Sequence, residues 1–184
     1  FFFFSFFTVA MGMVAKTARD AYFLSRFDRD YLPLMFLAIA VIIAPILTYY
    51  TKLTNKFAPR KLFIMICSIF VGSFILTQPL VMRFDNFIPV IYIWVEIVVG
   101  IMLIQFWTFA SSSLEPQQAK RLFGIIGGGG SFSVMLIGMN LKPFVNAFGT
   151  DELLFVAAGF LIIAFVFGIL SIQYFNKIPA KKGA

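Results

Sequence analysis

The sequence contains no histidine and one cysteine, Cys67. Without an imidazole there is no His-based triad, proton relay or histidine metal site. A lone cysteine closes no internal disulfide and builds no cysteine-cluster metal site. Cys67 lies in an apolar run and reads as a small buried hydrophobe. Charge is scarce as well: Lys, Arg, Asp and Glu make up 12% of the 184 residues, against roughly 25% in an average soluble domain. That is too little to cover a soluble surface. With 61% hydrophobic residues and a mean hydropathy of +0.95, a soluble globular domain is excluded, and so is a disordered chain. What remains is an integral membrane protein in contact with the lipid bilayer. No side chain pairs a nucleophile with a base, so no enzyme chemistry is expected, and no cofactor or metal is called for.

Long apolar runs are what the sequence has instead. A spanning helix needs about 20 mainly apolar residues, and six candidates occur, at about 1–26, 31–51, 61–82, 87–113, 122–146 and 151–175. They are continuous and lack the period-two alternation of barrel strands. The expected fold is therefore all-α, a polytopic membrane helix bundle of six transmembrane helices forming one domain over 1–184. The 26 phenylalanines suit lipid-facing helices and identify no site. Short connections predict antiparallel neighbours. Asp28 or Asp30 is expected to cap the second helix, with Pro33 early in it. Pro59 precedes the third helix and Pro89 opens the fourth; Pro116 reads as a stop after the fourth. Pro45 and Pro79 fall inside spans, where membrane helices tolerate them. The opening Phe1-Phe2-Phe3-Phe4 has neither an initiator Met nor a basic stretch. It does not resemble a signal peptide and is expected to lie inside a helix of a longer protein.

The net charge is +7. In a membrane protein this surplus reads as topology, not as nucleic-acid binding. Lys52, Lys56, Arg60 and Lys61, then Glu115, Lys120 and Arg121, then Lys177, Lys181 and Lys182 fall on one side and sum to +8. Arg26, Asp28, Arg29, Asp30, Arg83, Asp85, Lys142, Asp151 and Glu152 fall on the other and sum to −1. The asymmetry places both ends in the cytoplasm or its equivalent, across a bacterial inner membrane or an organelle membrane. An even number of spans requires the same.

Four charges remain inside the spans: Lys16, Arg19, Asp20 and Glu96, with zero net charge. Each costs about 2.5–3.5 kcal/mol at mid-bilayer on insertion scales, so each needs a reason. Lys16, Arg19 and Asp20 stand at i, i+3 and i+4, on one helical face. Glu96 lies about ten residues into the fourth helix, a position that invites pairing with Lys16 or Arg19. One reading is structural: ion pairs fasten the first helix to the fourth, or Lys16 and Arg19 snorkel to the interface. The other, which the mid-helix acid favours, is a polar cavity for an anionic substrate. Lys16 and Arg19 would meet its phosphate or carboxylate, and Glu96 would hold them when the site is empty.

Glu96, Gly100, Leu103 and Trp107 follow one stripe of the fourth helix. Trp107 either stacks on a base or lines the cavity, or belongs to an interfacial aromatic belt, the more ordinary role. Gln78, Gln105 and Asn140 are further polar groups within or near the spans. The run Gly127-Gly128-Gly129-Gly130 lacks the Lys-Ser/Thr ending and preceding strand of a phosphate loop. Gly124 and Gly128, with Ser131 beyond, read by default as a close-packing or flexible point, with backbone exposure to a ligand as the alternative. Gly100, Ala164 and Gly168 read the same way.

At these residues the chain resembles a known family. Lys16-Thr17-Ala18-Arg19-Asp20-Ala21-Tyr22-Phe23-Leu24-Ser25-Arg26-Phe27 resembles the first helix of the ATP/ADP translocases, nucleotide transporters with a major-facilitator-like fold. Phe106-Trp107-Thr108-Phe109-Ala110 and Ala119-Lys120-Arg121-Leu122-Phe123-Gly124-Ile125-Ile126-Gly127 resemble that family's fourth-helix end and fifth-helix start. The resemblance extends over approximately residues 10–175. It implies that Lys16 and Glu96 contribute to nucleotide binding and transport. Arg19 and Asp20 match the same phrase, and Trp107 completes the candidate substrate-binding set. The family has about twice as many helices, so six correspond to its N-terminal half. In the loop after the second helix, Asn55 stands where many facilitators carry an acid. Substrate in such folds sits between two halves that rock against each other. The expected function is thus one half of an ATP/ADP exchange carrier, working by alternating access with a second six-helix half. The alternative is a structural or accessory membrane subunit derived from a transporter fold and packed among neighbouring subunits. A small-anion facilitator would need the same cations.

Overall fold

A computed structural model describes residues 1–83, 87–114, 116–150 and 152–176. The expectations for Asp85, Glu115, Asp151, Lys177, Lys181 and Lys182 fall outside the described residues, as do the side chains of Asn55, Gln78 and Lys120. Among the described residues six long helices follow one another: α1 (Phe2–Arg26), α2 (Leu32–Lys56), α3 (Pro59–Arg83), α4 (Ile88–Ser113), α5 (Pro116–Phe148) and α6 (Leu153–Asn176), with a short 3₁₀ turn at Arg29–Tyr31. There is no strand among the described residues.

Among the described residues five stretches are long and apolar enough to cross a membrane: Arg29–Thr54, Arg60–Val81, Ile88–Ser112, Arg121–Phe148 and Leu153–Ser171. The expectation of six spans is met for these and not for α1. Lys16, Arg19, Asp20 and Arg26 crowd the second half of α1 and dilute its apolar character.

Element ends correct several readings. Pro116 follows the end of α4 as expected and also opens α5, where its missing N–H costs nothing and its fixed φ suits the first helical turn. The α4 helix ends at Ser113, where the expected span ended, and Leu114 beyond it has an extended backbone. With 33 residues, α5 is about 50 Å long at 1.5 Å per residue, more than a bilayer core needs. Neither Asp28 nor Asp30 caps α2. The 3₁₀ turn intervenes, Tyr31 takes the N-cap position, and no side-chain cap bond forms at either start. Pro33 and Pro89 do sit in the first turns of α2 and α4, and Pro45 and Pro79 lie inside helices. Gly149 ends α5: its φ of +83° is the left-handed value glycine tolerates, and its N–H returns to the Val145 carbonyl at 2.9 Å.

Cross-helix contacts fix the directions. Phe4 meets Phe106 (5.0 Å between ring centroids) and Phe23 meets Tyr92 (5.1 Å), so α1 and α4 are antiparallel. Phe3 meets Phe167 and Phe7 meets Phe160, so α1 and α6 are antiparallel too. The α1 residues Phe2 and Met13 lie over Gly129 and Gly138, making α1 parallel to α5. Phe63 meets Phe109 and Phe70 meets Trp94, setting α3 antiparallel to α4. Odd and even helices thus run opposite ways, as short connections require. The main partners are nevertheless not sequence neighbours. The α1 helix packs on α6, α5 and α4, α3 packs on α6, and α2 leans on α4.

Because three helices surround it, α1 supplies much of the core, including Phe4, Met11, Val14, Ala15, Ala18 and Phe23. Phenylalanine therefore does more than face lipid: Phe4, Phe63 and Phe106 form one buried ring cluster. Cys67 is fully buried with its Sγ 3.7 Å from the Met102 sulfur, the inert role expected of it. The close approach within the glycine run falls on Gly129 and Gly130, not on the Gly124/Gly128 pair. A Cβ on Gly129 would strike the Phe2 carbonyl oxygen and one on Gly130 would press on Val9, whereas Gly124, Gly127 and Gly128 face open space. Helical phase is the reason: residues 129 and 130 point at α1, and 124 and 128 point away. Gly168 accommodates the Phe63 ring, and a Cβ on Gly100 would make ordinary contact with Ile43. Ala164 is fully buried.

Candidate functional site

Lys16, Arg19 and Asp20 occupy successive turns of α1, and the antiparallel α4 brings Glu96 alongside them. Lys16 Nζ donates to Glu96 Oε1 at 2.8 Å, and Arg19 Nη1 donates to Glu96 Oε2. Arg19 Nε also donates to Asp20 Oδ1 at 3.1 Å. Two cations and two carboxylates thus form one continuous network. The reading in which Lys16 and Arg19 reach along the helix to the interface is corrected, because both reach sideways to Glu96.

The members are not equally placed. Arg19 is 6% exposed, Glu96 22%, Lys16 40% and Asp20 48%. Arg19 lies under the network, its guanidinium carbon 4.3 Å from the centroid of the Tyr92 ring, a cation–π distance. A planar guanidinium suits this position: it stacks on the ring and forks to two carboxylates at once. Lys16 is a point charge on a flexible stem at the open edge, able to change partners without rearranging the core. Tyr92 was not singled out from the sequence. Its signal is the spacing of four residues before Glu96, which sets both on one face of α4.

The network lies on an open strip. On α1 the residues that escape burial include Met13, Lys16, Thr17, Asp20 and Leu24, at helical spacing. On α4 the stripe Glu96, Gly100, Leu103 and Trp107 also escapes burial. Trp107 is 41% exposed, with its ring edge-on to Phe123 of α5 at 5.9 Å. Eleven positions of α4 separate it from Glu96, about 16 Å along the helix. The structure therefore gathers Lys16, Arg19, Asp20 and Glu96 and leaves Trp107 three turns away on the same stripe.

Among the other polar groups, Gln105 is buried and its Oε1 has no hydrogen-bond partner among the described residues. It lines a small pocket of about 90 Å³ with Tyr50, Thr54 and Thr108. Asn140 is exposed and donates to the Leu136 carbonyl of its own helix at 2.8 Å. Among the described residues no three His, Cys, Asp or Glu side chains gather as a metal site would require.

Comparison with family models, curated proteins and solved structures found nothing that matches this chain. The reading of the site therefore rests on its own chemistry. The network is neutral as it stands. An arriving anion can take Lys16 from Glu96 while Arg19 keeps that carboxylate paired, so exchange of partners leaves no buried charge alone.

Proposed function

We propose that the chain is a six-helix transporter unit in which Lys16, at the open edge of the α1–α4 network, receives an anionic substrate of the nucleotide class. The observation that carries this is the unequal burial of the two cations on Glu96: Arg19 is sealed in and Lys16 is 40% exposed. A purely structural bridge gains nothing from leaving half of its charge accessible. The nucleotide class comes from the resemblance of the Lys16–Phe27 and Phe106–Gly127 phrases to the ATP/ADP translocases. A second six-helix unit would close the open strip, and rocking of the two units would give alternating access. In this reading α1 is the sixth span. It runs beside α4 from Phe4–Phe106 to Phe23–Tyr92, with Arg19 sheltered by protein and Lys16 and Asp20 on the open strip that a second unit would cover.

A second reading has its own support. Both oxygens of Glu96 already hold a cation, which suits a structural tie in an accessory subunit. Binding of ATP separates the two. Charge-assisted hydrogen bonds contribute about 1.5–3 kcal/mol, so Lys16→Gln is expected to weaken ATP binding by about tenfold or more while helicity is retained. Unchanged ATP affinity in that variant supports the structural tie instead.

A further inference from the structure

The connection between α2 and α3 carries a second concentration of charge that the α1–α4 site does not use. Lys52 and Lys56 end α2, and Arg60 and Lys61 begin α3. All four are exposed. The sequence has no Asp or Glu between Asp30 and Asp85, so neither helix supplies a counter-charge. Among the described residues none of the four is paired with a carboxylate.

Depth matters as much as charge. One candidate span ends at Thr54 and the next begins at Arg60. The cations therefore stand where two spans emerge, at headgroup level. Beside them is an open groove of about 450 Å³, lined by Ala58, Arg60, Lys61, Ile64 and Met65. Its cationic rim continues into an apolar track along α3, where Ile64, Met65, Ile69, Ile75 and Leu76 are all exposed. Within the track a Cβ on Gly72 would meet none of the described residues within 4 Å, which leaves a shallow gap in the helix surface. From Lys61 to Leu76 the track is about 22 Å long at 1.5 Å per residue, enough for the roughly 15 Å half-thickness of a hydrocarbon core.

The geometry points to a site for an anionic glycerophospholipid at the α2–α3 elbow. Arg60 and Lys61 receive the phosphate, Lys52 and Lys56 strengthen the local positive field, and an acyl chain lies along the Ile64–Leu76 face of α3. Arg60 suits the role because its fork can engage two phosphate oxygens. A zwitterionic headgroup brings its own cation and gains less from this rim. Inorganic phosphate lacks the chain that the apolar track would cover.

The test is lipid retention. The full chain is equilibrated in phosphatidylcholine vesicles with and without phosphatidylglycerol and purified, and its bound lipid is quantified by mass spectrometry. The expected result is enrichment of phosphatidylglycerol over phosphatidylcholine that inorganic phosphate does not abolish. Near-surface basic residues contribute about 1 kcal/mol each toward anionic lipid. Lys61→Gln should therefore reduce the enrichment about fivefold and Arg60→Gln/Lys61→Gln about thirtyfold. Lys142→Gln, an exposed cation of α5, should leave it unchanged. Equal retention of the two lipids by the unaltered protein would overturn the site, as would full enrichment in the helical double variant. Displacement by inorganic phosphate would show a bare anion patch and overturn the lipid assignment.

Discussion

Arg19 and Lys16 hold the same carboxylate from opposite environments, and that difference sets what each contributes. Removing one partner of a buried ion pair typically costs about 3–5 kcal/mol because the other charge is stranded. Arg19, at 6% exposure, should approach this: Arg19→Ala is expected to lower unfolding stability in micelles by about 3 kcal/mol. Lys16, at 40% exposure, belongs nearer the exposed-pair range, and Lys16→Ala should cost about 1 kcal/mol or less. Equal losses in a denaturant titration would contradict the assignment of Arg19 as anchor and Lys16 as exchangeable cation. Tyr92→Leu tests the support beneath the anchor and should cost about 1 kcal/mol of cation–π stabilisation along with lost packing. At this scale the sequence was informative about pairing: zero net charge in the spans and the i, i+3, i+4 spacing led to Glu96. It was silent on which cation is buried. That depends on the rotation of α1 among α4, α5 and α6, and no residue within α1 encodes this alone.

At the scale of helices, the α1–α5 contact brings backbone close to backbone at the glycine run. Gly129 is its critical position, because a Cβ there would meet the main-chain oxygen of Phe2, which no rotamer change can move. Gly129→Ala is expected to destabilise by about 1–3 kcal/mol, the usual cost of overpacking. Gly128→Ala, which meets only open space, should be neutral or stabilising by up to about 1 kcal/mol through helix propensity. Thermal unfolding of the two single variants checks the pair; matching shifts would mean that the glycine run does not contact α1 in this register. The run itself was plain in the sequence, but its working face was not. Four consecutive glycines cover the whole circumference of a helix, so composition cannot select the side that is used. The helix ends were legible to within two residues except at the end of α2, expected at 51 and found at Lys56, and at the start of α5. There Pro116 has two local meanings, a stop after one helix and a start for the next, and the short α4–α5 connection lets it serve as both.

For the whole molecule, alternation of helix directions was predictable from short connections, while the central place of α1 was not. The apolar runs made α1 one span among six. The structure instead packs it against three helices, which bury its apolar face and Arg19, while Lys16, Asp20 and Arg26 stay on its open side. If α1 spans, its two ends lie on opposite sides of the membrane. Cysteines introduced as Phe1→Cys and Lys56→Cys should react with an impermeant maleimide from one side, and Phe27→Cys and Phe148→Cys from the other. Cys67 is fully buried and should give little background. Labelling of Phe1→Cys and Phe27→Cys from the same side would leave five spans and remove the basis for the half-transporter reading. The most direct measurement of the central claim is counter-exchange: labelled ATP outside proteoliposomes containing the full-length protein, ADP inside. The account predicts uptake that depends on internal ADP and is abolished by Lys16→Gln in protein that inserts normally. Absence of both uptake and exchange in the unaltered protein, or exchange undiminished by Lys16→Gln, would contradict it.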